Sequence, residues 1–148
     1  MKTLMKSALL GVGLALAAPA IAAGAAKPVA LLYKNPQCDC CETYAKYLRV
    51  HGYEVKVQAT HDLPLLKKKH TVPTALEGCH TTLVGGYVVE GHVPVKSLNK
   101  LLAARPKIAG ISLPGMPTGS PGMMGPKKAP FKILAFNKAG RTAVYSIE

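Results

Sequence analysis

Apolar residues recur along this chain in short runs set off by turn-forming residues, and their spacing changes from segment to segment. Val29-Ala30-Leu31-Leu32-Tyr33, bounded by Pro28 and Asn35-Pro36, is a continuous apolar run of strand length and predicts a buried first strand. From Cys41 to His51 the residues Tyr44, Tyr47 and Leu48 fall at helical spacing, and Gly52 is placed to end that helix. Tyr53 to Ala59 alternates polar and apolar, the period of a half-buried strand. Asp62 can cap a short helix reaching His70, after which Val72-Pro73-Thr74 breaks the pattern. Thr81 to Val84 and Tyr87 to Glu90 flank Gly85-Gly86 and predict a hairpin. Ser97 is placed to cap a helix carrying Leu98, Leu101 and Leu102, closed by Pro106.

From residue 106 to 130 the pattern stops, and six of the twelve prolines fall there, which predicts a long irregular Pro/Gly/Met-rich loop. Phe131 to Phe136 and Thr142 to Ile147 then flank Asn137 to Arg141 as a C-terminal β-hairpin that anchors the loop at its far end. Strands alternating with helices predict a single α/β or α+β domain, a sheet with flanking helices in two or three layers.

The N-terminal segment has a different character. Lys2 and Lys6 precede an apolar run from Ala8 to Ala18, and Pro19-Ala20-Ile21-Ala22 supplies a small-residue cleavage pattern. This is the layout of a secretory signal peptide over residues 1–22, leaving one domain at 23–148 and no membrane span after cleavage. A retained anchor would use Ala8 to Ala26, but Gly11, Gly13 and Pro19 weaken it. In an exported chain the four cysteines could form two structural disulfides.

Charge narrows the partners. The formal net charge is +12, yet the basic residues are scattered, and the only run, Lys67-Lys68-Lys69-His70, reads as the solvated end of a short helix. With no Trp, two Phe and no interleaving of basic and aromatic residues, the chain lacks the features of a nucleic-acid binder.

The chemistry lies in sulfur. Cys38-Asp39-Cys40-Cys41 follows the first predicted strand, and Cys79-His80 is the other cysteine position. Cys38 and Cys41 form a CxxC pair where a helix N-terminus would favour thiolate, and Val72-Pro73-Thr74 looks like the segment whose cis proline faces such a pair in thioredoxin-like proteins. A thiol-disulfide oxidoreductase using Cys38 and Cys41 is therefore one reading. Cys40 fits it poorly, because a third thiol within the motif could scramble the disulfide. Metal binding gives all four sulfurs a use: thiolates select Cu(I) and can bridge several ions, and imidazole from His80 or His92 adds a borderline donor. Met116 and Met123 sit among Pro and Gly rather than on a periodic apolar face, which leaves a ligand or lid role open beside packing. Met124 is the weaker candidate, and His51, His61 and His70 read as solvated. Thioethers favour copper over zinc, whose sites use Cys, His and carboxylate.

The run Cys38-Asp39-Cys40-Cys41, Val72-Pro73, Cys79-His80-Thr81, Gly86-Tyr87, Glu90-Gly91-His92-Val93-Pro94, Pro114-Gly115-Met116-Pro117 and Gly119-Ser120-Pro121-Gly122-Met123 resembles the small periplasmic metal-binding proteins of the CopG type. These are linked to copper resistance and are distinct from the ribbon-helix-helix repressors of the same name. The resemblance implies a thioredoxin-like fold, a periplasmic location and a cysteine-bridged multinuclear copper site, used for sequestration or for Cu(I)/Cu(II) redox cycling, with other periplasmic copper-handling proteins as exchange partners. Carried onto this chain, it implies sulfur ligands at Cys38, Cys40, Cys41 and Cys79, with His80, His92, Met116 and Met123 at its other motif positions. The chain departs from the family pattern at Asp39, where glycine is usual, and at Tyr44, where tryptophan is common.

Overall fold

The structure is a computed structural model that describes residues 26–148, so the expected leader at residues 1–22 lies outside the described residues. In chain order the elements are β1 (Ala30–Lys34), α1 (Asp39–Val50), β2 (Val55–Ala59), α2 (Leu63–Lys69), a 3₁₀ turn (Thr74–Leu76), β3 (His80–Val84), β4 (Tyr87–Gly91), α3 (Val95–Ala104), β5 (Gly110–Leu113), β6 (Lys132–Phe136) and β7 (Thr142–Ile147). The strands form one seven-stranded sheet in the order β2-β1-β3-β4-β5-β6-β7. β1 runs parallel to β2 and β4 parallel to β5, and the remaining pairs are antiparallel. A mixed α/β fold is what the alternation of sequence periods predicts.

Period-two alternation assigns the two faces of the sheet. Ala30, Leu32, Val89, Ile111, Ile133 and Ala135 point to one side, where they meet Cys41, Tyr44, Ala45 and Leu48 of α1 and Leu98 and Leu101 of α3. The α1 residues are spaced three and four apart, so one stripe of the helix enters the core. Val88 and Phe136, each one position removed from a residue of the first set, point to the other side and pack with Val72 and Leu76. α1 and α3 therefore cover one face, and the chain around the 3₁₀ turn covers part of the other.

The structure corrects four details of the sequence reading. Ser97 does not cap α3, which starts two residues earlier with Pro94 at the cap position; Ser97 is buried and its hydroxyl is bonded to Ser146 and Glu148 of the last strand region. The stretch from 106 to 130 is not all loop, because β5 lies inside it, all four of its residues buried. At Gly110, which opens β5, a Cβ would lie 2.1 Å from the Val88 carbonyl oxygen and 2.7 Å from the Phe136 ring, so only glycine lets β5 approach β4. The Val72-Pro73 peptide is trans, as are all others among the described residues, and the residue that faces the CxCC turn from the start of β3 is Cys79. Lys67 is not solvated: its side chain is buried and paired with Glu90. No helix among the described residues is long and apolar enough to cross a membrane.

Candidate metal centre

The CxCC turn is held where β1 gives way to α1. Cys38 occupies the N-cap position of α1, and its N–H donates to the Asn35 carbonyl at 3.0 Å. Lys34, buried at the end of β1, donates its ammonium to the carbonyls of Pro36 (3.0 Å), Asn35 (3.3 Å) and Cys38 (3.4 Å), and lies 3.2 Å from Glu42 in the first turn of α1. One cation thus gathers the carbonyls of the turn and clamps it to the helix that follows. Cys38, Cys40 and Cys41 all sit at the N-terminal, positive end of α1.

Cys79, the residue before β3, completes a cluster in which all four sulfurs lie within 4.8 Å of one another. Cys38 and Cys41 form a disulfide, and Cys40 and Cys79 are free thiols. Cys40 Sγ is 3.5 Å from Cys38 Sγ and 3.7 Å from Cys79 Sγ, and Cys41 Sγ is 3.5 Å from Cys79 Sγ. In this oxidised state two of the four sulfurs are engaged with each other, so a metal that uses all four requires reduction of the pair.

Cys79 also belongs to a second donor group. Its Sγ lies 3.0 Å from His92 Nε2 and 3.4 Å from His80 Nδ1. His92 Nδ1 is 2.6 Å from the Pro121 carbonyl oxygen; a carbonyl only accepts, so Nδ1 carries the proton and Nε2 turns its lone pair toward the sulfur. His80 is fully buried, and its Nε2 has no hydrogen-bond partner among the described residues. Tyr44, also fully buried, lies over both rings, 4.7 Å from the His80 centroid and 5.4 Å from that of His92, and its hydroxyl donates to the Val93 carbonyl at 2.8 Å. Burial, then the neighbouring Cys40, push the Cys79 thiol up to about 12, with Lys67 opposing. Burial holds His80 well below its ordinary value, reinforced by His92 and Lys67, and burial lowers His92 against its bond to Pro121. Both imidazoles are therefore neutral near pH 7, the form that binds a metal ion.

The segment after β5 reaches the cluster through Pro121 and Gly122. A Cβ on Gly122, whose φ is +84°, would lie 2.8 Å from Tyr44 N, 3.0 Å from the Cys40 carbonyl oxygen and 3.2 Å from His92 Nδ1. The absence of a side chain there lets the loop lie directly on the first turn of α1 and on His92. Met123 is the next residue and is half-buried, its N–H donating to the Ser120 carbonyl at 2.8 Å. Met116, also half-buried, adopts a left-handed conformation (φ +44°) at the Pro114-Gly115 turn. Met124 is 89% exposed.

Comparison of this fold with solved structures gives two strong matches. A structure titled "Copper resistance protein copG", form 2, matches with a TM-score of 0.77 and 30% sequence identity, covering 82% of this chain and 98% of that one. Form 1 of the same title matches at a TM-score of 0.76 and 31% identity, with the same coverage. The chain belongs to the CopG family. A family model described as "Protein of unknown function, DUF411" matches residues 76–123, and no curated protein matches the chain in sequence. The matched segment of this CopG-family chain holds Cys79, His80, His92, Met116 and Met123, and the CxCC turn precedes it.

The geometry also draws in residues of the CopG site that sequence reasoning passed over. Glu90, on β4 and fully buried, accepts from the Gly78 N–H at 2.7 Å and from the Thr81 hydroxyl at 2.7 Å, and pairs with Lys67. Burial pushes the Glu90 carboxyl up, and Lys67 is the leading influence that brings it back down. Both had legible signals. Glu90 interrupts the apolar run of a predicted strand, and Lys67 lies four residues after Leu63, on the same helical stripe. Lys34, which closes the first apolar strand and clamps the CxCC turn, was likewise missed.

Proposed function

We propose that this chain is an exported, periplasmic copper-binding protein that holds several Cu(I) ions as cargo in a cysteine-bridged cluster and contributes to copper resistance. The observation that carries the reading is Cys79, whose sulfur lies in both donor groups, 3.5 and 3.7 Å from sulfurs of the CxCC turn and 3.0 Å from His92 Nε2. A thiolate in that position can bridge ions held on either side of it. Soft thiolates select Cu(I), and the two neutral imidazoles extend the set beyond the four donors that a closed zinc site uses. The orphaned Nε2 of His80 and the fixed tautomer of His92 both fit this use, since a ligating imidazole commonly fixes its lone pair by donating its other N–H to a carbonyl. On this reading Cys38, Cys40, Cys41 and Cys79 supply sulfur, His80 and His92 nitrogen, and Met116 and Met123 complete or shield the cluster. Copper enters from and leaves to other periplasmic copper-handling proteins, and sequestration and Cu(I)/Cu(II) cycling would share these ligands.

Anaerobic titration of the reduced protein with Cu(I) tests the proposal. More than one Cu(I) per chain is expected, with part of that capacity lost in Cys40→Ser; full stoichiometry in that variant would sink the bridged cluster. A single tightly held Zn(II) with no preference for Cu(I) would reassign the metal.

The disulfide between Cys38 and Cys41 favours a second reading, a thiol-disulfide oxidoreductase. Such an enzyme would turn over a model disulfide in Cys40→Ser and lose that activity in Cys38→Ser.

A further inference from the structure

We infer that the buried Glu90 carboxylate, charge-balanced by Lys67, is the positioning residue that sets Cys79, His80 and His92 in register as one donor group. The inference rests on the copper-binding reading for its consequence, but its structural content holds with no metal bound.

Glu90 grips the chain on both sides of the Cys79-His80 pair. One carboxylate oxygen accepts from the N–H of Gly78, immediately before Cys79, and from the Lys67 ammonium. The other accepts from the hydroxyl of Thr81, immediately after His80, and Lys67 also donates to that hydroxyl at 3.0 Å. The two donors therefore lie between two points fixed to a single carboxylate. The same strand leads to the third donor, because β4 ends at Gly91, one residue after Glu90, and His92 follows directly. The two segments meet closely there: a Cβ on Gly78 would lie 2.8 Å from Gly91 Cα, so backbone packs on backbone between the two donor segments.

Stability alone gives a weak reason for this arrangement. A buried ion pair is often no more stabilising than apolar residues of the same volume, whereas its hydrogen bonds are directional. Nor do the charged groups touch the donors themselves. Glu90 and Thr81 share the strand parity of Val88 and Leu83, on the face opposite α1, whereas His80 points to α1 and Tyr44. With Lys67 and Glu90 at 4% and 0% exposure, they act on the backbone that carries the ligands. Lys67 keeps the assembly neutral, so the carboxylate does not add uncompensated negative charge beside thiols that become thiolates on metal loading.

Two charge-neutral double variants of the mature chain separate positioning from charge. Lys67→Met/Glu90→Gln keeps an acceptor for the Gly78 N–H and an amide N–H that donates to the Thr81 hydroxyl oxygen, whereas Lys67→Met/Glu90→Leu removes both hydrogen bonds at similar volume. Two readouts are taken on reduced protein: the imidazole NMR resonances of His80 and His92 without metal, and Cu(I) affinity by competition with a chromophoric chelator. The glutamine pair should retain the shifted His80 and His92 resonances imposed by the Tyr44 ring. The leucine pair should lose them, together with roughly tenfold in Cu(I) affinity, the lower end of what outer-shell partners of metal ligands contribute. Unchanged resonances and unchanged affinity in a folded leucine pair would overturn the inference. If the leucine pair does not fold, Thr81→Val removes one arm of the grip and should move the His80 resonance; an unmoved resonance overturns the inference equally. A wild-type chain that binds no Cu(I) would refute the copper reading alone, since the metal-free resonances decide the positioning role by themselves.

Discussion

His92 presents Nε2 to the Cys79 sulfur at 3.0 Å because its other nitrogen is committed to the Pro121 carbonyl at 2.6 Å. The loop after β5 thus selects the tautomer of a ring carried by the end of β4, and the donor atom of one segment depends on the backbone of another. His92→Ala should lower Cu(I) affinity by roughly tenfold while leaving the Cys38–Cys41 disulfide able to form. Chelator competition and thiol counting check the two halves.

Gly122 is where that loop touches α1, and its φ of +84° together with the 2.8 Å approach to Tyr44 N leaves no room for a side chain. Gly122→Val should displace the loop without unfolding the sheet. Limited proteolysis after Lys127 or Lys128 should speed up several-fold, while the far-UV circular dichroism spectrum is retained. An unchanged cleavage rate would mean that the loop is held elsewhere.

Lys67 and Glu90 stand or fall together. Lys67→Met alone leaves a buried carboxylate without its counter-charge, and loss of one partner of such a pair costs about 3–5 kcal/mol. Replacing both should cost much less than the sum of the single replacements. Urea denaturation of the two single variants and the double variant measures the coupling.

The metal-free protein with its Cys38–Cys41 disulfide intact should be most stable in a window bounded by its buried groups. His80 and His92 titrate below the ordinary value of 6.5 in the folded state, so the unfolded chain takes up protons first and stability falls as pH drops below about 6.5. Cys79 titrates above its ordinary 9.0, up to about 12, so the unfolded chain releases its proton first and stability falls as pH rises above 9. Buried Tyr44 and Tyr53 act in the same alkaline direction. Melting temperature against pH checks both flanks, and Cys79→Ser should flatten the alkaline one in part.

How much of this was legible in the sequence follows from the range of the signals. The β1-α1-β2 unit and the β3–β4 hairpin are written in local periods and a two-glycine turn, and their extents agree with the structure to within a residue or two. The cysteine turn, Cys79-His80 and His92 stand out as residue types, and the fold brings them together. β5 was missed because a four-residue strand beginning with glycine carries no period, and its glycine serves a backbone contact with Val88 that only the folded sheet supplies. Ser97 looked like a cap because serine before an apolar run usually is one, yet Pro94 starts the helix earlier. Lys67 read as solvated because it opens the run Lys67-Lys68-Lys69, although its place four residues after Leu63 puts it on the buried stripe of α2, where Glu90 pairs with it.

Leu113, the last residue of β5, is paired in register with Gly91, so the methionine-bearing loop leaves the sheet beside the residue that precedes His92. Its far end returns to β6, the neighbouring strand on the other side of β5. Met116 lies three residues from that departure point, a reach of about 11 Å of extended backbone at most. A soft sulfur tethered so closely is present at a high effective concentration whether or not the loop is docked. On the copper-binding proposal, the Met116 thioether therefore needs no fixed position to compete for a cation at the cluster, because connectivity alone keeps it in the neighbourhood.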